Sequence, residues 1–247
     1  MTIANPESLN KLLADLHAER VATWRPEDLR VNIEQRQRLV DNEVPGAYVQ
    51  VGDLVDSFSV PSVDGSVIEF DALAARGPVV IVFFRFAGCP ACNIALPYYQ
   101  RALWPSLRDL GATLLALSPQ IPDKLLTIKE RHGIEFLVAS DLHNELGRRF
   151  GILYTYDEPS KQAALSRNSP IGDVTGTGTW ELPKPAVLVV GQDRVVRFVD
   201  VSPDWLVRTE AGPIIEAVRR SRSEDVRDVA ELEPWPARVR SAVVGIA

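Results

Sequence analysis

Cys89 and Cys92 are the only cysteines in the 247 residues of this chain. They stand three positions apart in Gly88-Cys89-Pro90-Ala91-Cys92, directly after the apolar run Val79 to Phe84. Two thiols one helical turn apart can close a disulfide with little backbone movement, or one can attack while the other resolves. Pro90 suits the first position of a helix, where its missing N–H is not needed and its φ is already set. Cys89 then falls at or near the N-cap, where unpaired backbone N–H groups and the helix dipole favour an anion. A thiol so placed ionises more readily and is the better nucleophile. Cys92, one turn further in, suits resolution, and Arg85, four residues before Cys89, can add positive charge to the pocket.

Other chemistries fit less well. Two inert cysteines on one buried helix are the plain alternative. Zinc would need two further ligands, and His17, His132 and His143 are not at ligand spacing, so no metal or cofactor is expected. Gly176-x-Gly178 lacks the strand–helix frame of a dinucleotide loop, and there is no Gly-Lys-Ser/Thr phosphate loop. Trp180 and Trp205 read as core or rim residues, with Trp180 bordering the site as the lesser reading. Pro185 precedes the apolar run Ala186 to Val190. It is either a loop terminator that cannot donate to a sheet ladder or, in a thioredoxin-like arrangement, a cis-proline facing the cysteines. Both readings stand on the residues alone.

The composition is that of a globular protein, with 46% hydrophobic residues, 24% charged residues and a net charge of −6. No Lys/Arg stripe marks a nucleic-acid surface, and no apolar run is long enough to span a bilayer. Met1 to Arg20 has charges through its apolar positions and no signal-peptide core. With a close cysteine pair this predicts a cytoplasmic protein in a reducing compartment.

The positioning elements follow from periodicity. Residues 6–42 read as helical, with Leu9, Leu12, Leu13 and Leu16 on one face and a second helix from Pro26 to Val40. Pro45-Gly46 breaks this region from the next. Short strands and a hairpin at Asp64-Gly65 lead into a buried strand, Val79 to Phe84. A helix opens at Pro90 and runs toward Leu107 or Leu110, with a kink or break expected at Pro97 and Pro105. Ala112 to Leu117 is a strand, Asp123 to His132 a helix, Glu135 to Ala139 a strand and Leu142 to Phe150 a helix. The polar stretch Tyr154 to Trp180 reads as a long loop or an insertion. Ala186 to Val190 and Val195 to Val201 form a hairpin, and Ala211 to Arg220 is a last helix. This gives a mixed α/β sheet covered on both faces. The expected organisation is an N-terminal helical extension (1–44), the main domain (45–220) and a C-terminal extension (221–247).

At these residues the chain resembles the thioredoxin-fold peroxiredoxins, and more narrowly the peroxiredoxin-like proteins of the alkyl hydroperoxide reductase/thiol-specific antioxidant family. The resemblance rests on Val51-Gly52-Asp53 to Phe58, Pro78 to Asn93, Ala112 to Gln120, Phe136 to Gly151 and Trp180 to Trp205. Its motifs are the Cys-Pro-x-Cys-Asn segment after a strand ending in an arginine, Phe84-Arg85 to Asn93, and Glu-Leu-Pro-x-Pro-Ala at Glu181 to Ala186. It implies a thioredoxin-like core and thiol-dependent reduction of hydrogen peroxide or organic hydroperoxides. It implies as site residues Cys89 and Cys92 for the chemistry and Arg85, Pro90 and Pro185 for the substrate. The partners it implies are a peroxide or disulfide substrate and an external dithiol reductant such as a thioredoxin-type protein. No nucleic acid or membrane is expected, and a homodimer through the N-terminal helices is possible.

The chain also departs from the family pattern Pro-x-x-x-Thr/Ser-x-x-Cys. Read back from Cys92, Arg85 replaces the Pro and Cys89 the Thr; read back from Cys89, the positions hold Val82 and Phe86. Pro185 replaces the arginine usual before the late strand, Gly88 the aromatic before the first Cys, and Ser57-Phe58 the early Asp-Phe. The family register places the attacking sulfur at Cys92, whereas helix-terminus physics places it at Cys89. Three functions are therefore carried forward: a thiol peroxidase, a thiol–disulfide oxidoreductase, and a non-enzymatic redox sensor.

Overall fold

Val79–Phe83 is buried at every position and forms the middle strand of the central sheet. The computed structural model describes residues 7–44 and 46–223. Pro45 of the expected break, Pro6 at the expected helix start and residues 224–247 of the C-terminal extension lie outside the described residues. In chain order the elements are α1 (Leu9–Thr23), α2 (Pro26–Asp41), β1 (Ser59–Pro61), β2 (Val67–Glu69), α3 (Phe70–Ala74), β3 (Val79–Phe83), α4 (Pro90–Ala102) and α5 (Trp104–Asp109). There follow β4 (Thr113–Ser118), α6 (Pro122–His132), β5 (Leu137–Ser140), α7 (Glu145–Arg149), β6 (Leu153–Thr155) and α8 (Glu158–Ser166). The chain then forms α9 (Ile171–Thr175), β7 (Glu181–Pro183), β8 (Ala186–Val190), β9 (Val196–Val201) and α10 (Ala211–Ser223).

The central sheet has the order β5-β4-β3-β8-β9, with β3, β4 and β5 parallel and β8 and β9 antiparallel to their neighbours. Side chains alternate between its faces. Val80, Val82, Leu114, Ala116, Val187 and Val189 pack on one side against α4 and α10 residues, among them Leu96 and Ile214. Val79, Ile81, Phe83, Leu115, Leu117 and Leu188 pack on the other against Phe70, Leu146 and Phe150. Both cysteines belong to the first side, at the end where β3 hands over to α4. This is a mixed α/β sheet flanked by helices, the thioredoxin-like fold.

Two local expectations are corrected. α4 passes through Pro97 without interruption, and the expected break comes at Leu103, two residues before Pro105. Pro105 sits in the first turn of α5, where an N–H has no helical partner anyway. The stretch Tyr154 to Trp180 is not a long loop: it contains β6, α8 and α9. Asp157 caps α8 by accepting the Ser160 N–H at 3.0 Å, and Gly176, at φ 81°, ends α9.

α1 packs against α4, and α2 against α8. The start of α1 is fastened by the Glu210 carboxylate, which accepts the backbone N–H groups of Leu9 and Asn10 at 3.0 Å each. Ser8 Oγ and Tyr98 OH donate to the same carboxylate at 2.8 and 2.9 Å. A carboxylate there satisfies orphan N–H groups and meets the positive end of the helix dipole. Burial pushes its pKa up, but these donors outweigh that and hold it below the usual range. Its stabilisation is therefore present above the unfolded value of about 4.3 and fades as pH falls through the lower folded value. Glu210→Gln is expected to cost about 1–3 kcal/mol at pH 7, with the deficit shrinking toward zero in acid. Thermal melts of both proteins across pH 3–7 check this.

Candidate active site

The site begins where the central strand ends. Past Phe83 the ladder continues for one residue, Phe84 N–H donating to Leu117 O at 2.9 Å. The turn is then held from below: Ser118 Oγ donates to Arg85 O at 2.9 Å, and Gln120 Oε1 accepts the Ala87 N–H at 2.7 Å. Cys89 is the N-cap of α4, with extended backbone (φ −72°, ψ 120°) and Pro90 in the first turn. Asn93 Nδ2 ties the turn shut by donating to Ala87 O and Cys89 O at 2.7 and 2.9 Å. The crevice beyond the carboxyl ends of parallel strands is where open α/β sheets bind ligands.

Both cysteines are free thiols and buried, at 1% and 0% exposure. Each sulfur faces its own guanidinium, Arg85 Nη1 donating to Cys89 Sγ at 3.9 Å and Arg208 Nη2 to Cys92 Sγ at 3.8 Å. The hydrogen bond from the Cys92 thiol, with the charges of Arg85 and Arg208, overcomes burial and pulls the Cys89 pKa well down. Burial, the bond it gives Cys89 and the negative charge there push Cys92 well up. Cys89 is thus the sulfur that ionises more readily and Cys92 its hydrogen-bond donor, a difference that two identical side chains acquire from position alone.

Arg85 is itself buried and fixed. Its Nη2 donates to Tyr156 OH at 2.7 Å, and its guanidinium lies 4.4 Å from the Trp205 ring centroid. Trp205 Nε1 donates to Gln35 Oε1 on α2 at 3.1 Å. Arg20 of α1 and Arg36 of α2 each lie 5.7 Å from the Trp205 ring. Arg36 is paired with Asp204 at 3.0 Å. Above Cys89 is a cavity of about 230 Å³, walled by Arg20 of α1, Gln35 of α2 and Ala163 of α8 together with Trp24, Tyr156 and Trp205. Cys89 and Pro90 line it; Cys92 does not.

The structure therefore brings Arg85, Cys89, Cys92 and Pro90 together. Pro185 is not among the residues that line the cavity over Cys89. No peptide bond among the described residues is cis, so the cis-proline reading is corrected. Pro185 lies against Leu96, Tyr99 and Arg208 in a crevice of about 10 Å³, and its carbonyl accepts the Ser202 N–H at 2.8 Å as the β8–β9 pair begins. The second cation beside the sulfurs is Arg208, which the sequence did not single out. Trp205 belongs to the site as well as to the core, and Trp180 reaches it through Tyr156, 6.0 Å away between ring centroids. Among the described residues no three His, Cys, Asp or Glu side chains are grouped to hold a metal. No helix among them is long and apolar enough to cross a membrane.

A model of the AhpC/TSA family matches residues 51–199. Peroxiredoxin Bcp of Escherichia coli is 24% identical over 104 residues, 42% of this chain and 65% of that protein. The chain thus spans just under two thirds of that relative's length. A putative peroxiredoxin of Mycobacterium tuberculosis is 22% identical over 175 residues, 71% of this chain and 99% of that protein. Among solved structures, peroxidoxin BcpB from Mycobacterium tuberculosis aligns with a TM-score of 0.54 at 20% identity, over 73% of this chain and 100% of that one. A peroxiredoxin-like protein from Aquifex aeolicus aligns with a TM-score of 0.55 at 15% identity, over 70% of this chain and 88% of that one. These structural likenesses show the fold.

The pairing of Arg85 with Cys89 has a direct readout. Iodoacetamide alkylation of Cys89, followed by mass spectrometry as pH is varied, should have its midpoint below the ordinary thiol value of about 8.5. Arg85→Met should raise that midpoint by at least about one unit. An unchanged midpoint would show that Arg85 does not hold the charge on sulfur.

Proposed function

We propose that this chain, which belongs to the AhpC/TSA family, is a two-cysteine thiol peroxidase in which Cys89 attacks and Cys92 resolves. One observation carries the reading: Cys89, at the helix N-cap and facing Arg85, lines the cavity, while Cys92 is fully buried and does not. In the first step the Cys89 thiolate attacks the terminal oxygen of the hydroperoxide. The S–O bond forms as the O–O bond breaks, sulfur is oxidised to sulfenic acid, and the leaving oxygen takes a proton to become water or an alcohol. Arg85 and the Tyr156 hydroxyl it holds are the polar groups on hand to orient the peroxide, in place of the family's Thr. In the second step the Cys92 thiol attacks the sulfenic sulfur, the S–S bond forms and water leaves. An external dithiol, such as a thioredoxin-type protein, returns both sulfurs to thiols by two exchange steps.

Disulfide exchange is favoured by the Cys-Pro-x-Cys spacing but opposed by burial. At 1% exposure Cys89 meets a small peroxide through the cavity and is closed to a protein disulfide. For the same reason a protein reductant acts on an oxidised form in which the sulfurs have become accessible.

Single replacements assign the roles. With one equivalent of hydrogen peroxide, Cys92→Ser should accumulate a dimedone-reactive sulfenic acid on Cys89. Cys89→Ser should lose rapid oxidation, and the unaltered protein should form the Cys89–Cys92 disulfide with both thiols lost together. Rapid sulfenate formation in Cys89→Ser, and none in Cys92→Ser, would reverse the assignment.

A further inference from the structure

The cavity over Cys89 is larger and more cationic than hydrogen peroxide requires. Its volume of about 230 Å³ is several times the roughly 30 Å³ that one water occupies in the liquid. Four of its lining side chains carry a buried polar atom with no hydrogen-bond partner: Arg20 Nη1, Asn32 Oδ1, Gln35 Nε2 and Arg85 Nε. Three of these atoms are N–H donors, so the wall is short of acceptors. Native proteins leave few such groups without a partner, and these four fall in the wall of one cavity.

Arg20 is the focus. It lies on the face of α1 that Leu9, Leu13 and Leu16 turn toward the core, is only 4% exposed, and pairs with no carboxylate among the described residues. Its guanidinium stacks on Trp24 and Trp205, 4.9 and 5.7 Å from the ring centroids. The carboxylate on the cavity wall, Asp28, is already engaged by Arg25 at 2.7 Å and Arg167 at 3.3 Å. Against Arg20 and Arg85 the site offers one negative sulfur, which leaves a positive charge without a counterion. Around that charge the walls are apolar: Trp24, Val31, Phe86 and Trp205.

We propose that the cavity takes an organic hydroperoxide bearing a carboxylate, with its apolar body against Trp24, Val31 and Phe86 and its carboxylate on Arg20. The inference rests on the peroxidase reading and names the substrate class of that site. The carboxylate is a spectator: the thiolate still attacks the terminal peroxide oxygen, and the product is the corresponding hydroxy acid.

The test is equilibrium binding to the reduced full chain, with benzoate as the charged probe and benzamide as its neutral isostere, read by tryptophan fluorescence. Benzoate should bind at least tenfold more tightly than benzamide. Arg20→Met should abolish that preference and Arg20→Lys retain part of it. Equal binding of the two probes, or a preference indifferent to Arg20→Met, overturns the proposal. Should Arg20→Met not fold, Arg20→Lys decides: a benzoate preference undiminished in that variant overturns the proposal. The kinetic arm compares cumene hydroperoxide with its para-carboxylate. The carboxylate should oxidise Cys89 at least tenfold faster. Arg20-dependent benzoate binding with no hydroperoxide reacting faster than at a free thiol would keep the anion site and overturn the peroxidase reading. Equally fast reaction of both hydroperoxides would overturn the carboxylate anchor and leave that reading intact.

Discussion

A negative sulfur among buried guanidinium groups is the interaction on which this molecule is organised. Cys89, Cys92, Arg20, Arg85 and Arg208 are all within 5% of full burial. A lone charge in such a setting costs several kcal/mol, and so does a lone thiolate. The guanidinium groups offset the burial of the thiolate, which in turn offsets part of their charge. The same electrostatics separates two chemically identical cysteines into an anion and an acid, since the anion at Cys89 is stabilised by the proton that Cys92 retains. Reactivity at sulfur and stability of the packed site thus rest on one charge balance.

That balance needs support from distant parts of the chain. β3 and the first turn of α4 present the sulfurs, but Arg85 is aimed by Tyr156 and Trp205. Trp205 is in turn held by Gln35 of α2, and α1 is fastened at its start by Glu210. The two N-terminal helices therefore wall the cavity over Cys89 as well as covering the core. The central sheet supplies the fixed end of the arrangement, since its two apolar faces leave only the strand ends free to vary.

What the sequence revealed follows from how local each signal is. Strands β3, β4 and β8 were legible because unbroken runs such as Val79–Phe83 and Ala186–Val190 admit little else between turn residues. Arg85, Cys89, Pro90 and Cys92 were legible because they lie within eight consecutive residues. Tyr156, Trp205, Arg208 and Gln35 were not, because only the tertiary fold brings them to the sulfurs. The helix α8 was hidden by the Ser, Gly and Thr content of its surroundings, although Asp157 followed by Pro159 carries an N-cap signature. Arg20 left a trace of its own: a charge in register with Leu9, Leu13 and Leu16 on an apolar helix face demands a reason. The expectation of a cis bond at Pro185 came from the motif, and the chain at this point uses a trans peptide and takes its second cation from Arg208.

The central claim is that the Cys89 thiolate, set by its cationic neighbours, reduces peroxides. Its most direct test is stopped-flow oxidation of the fully reduced protein by hydrogen peroxide and by cumene hydroperoxide, followed by tryptophan fluorescence and a free-thiol count. The account predicts oxidation several orders of magnitude faster than that of a free thiol, with both thiols lost together. A rate equal to that of a free thiol with both peroxides would contradict it and leave disulfide exchange as the chemistry of the pair.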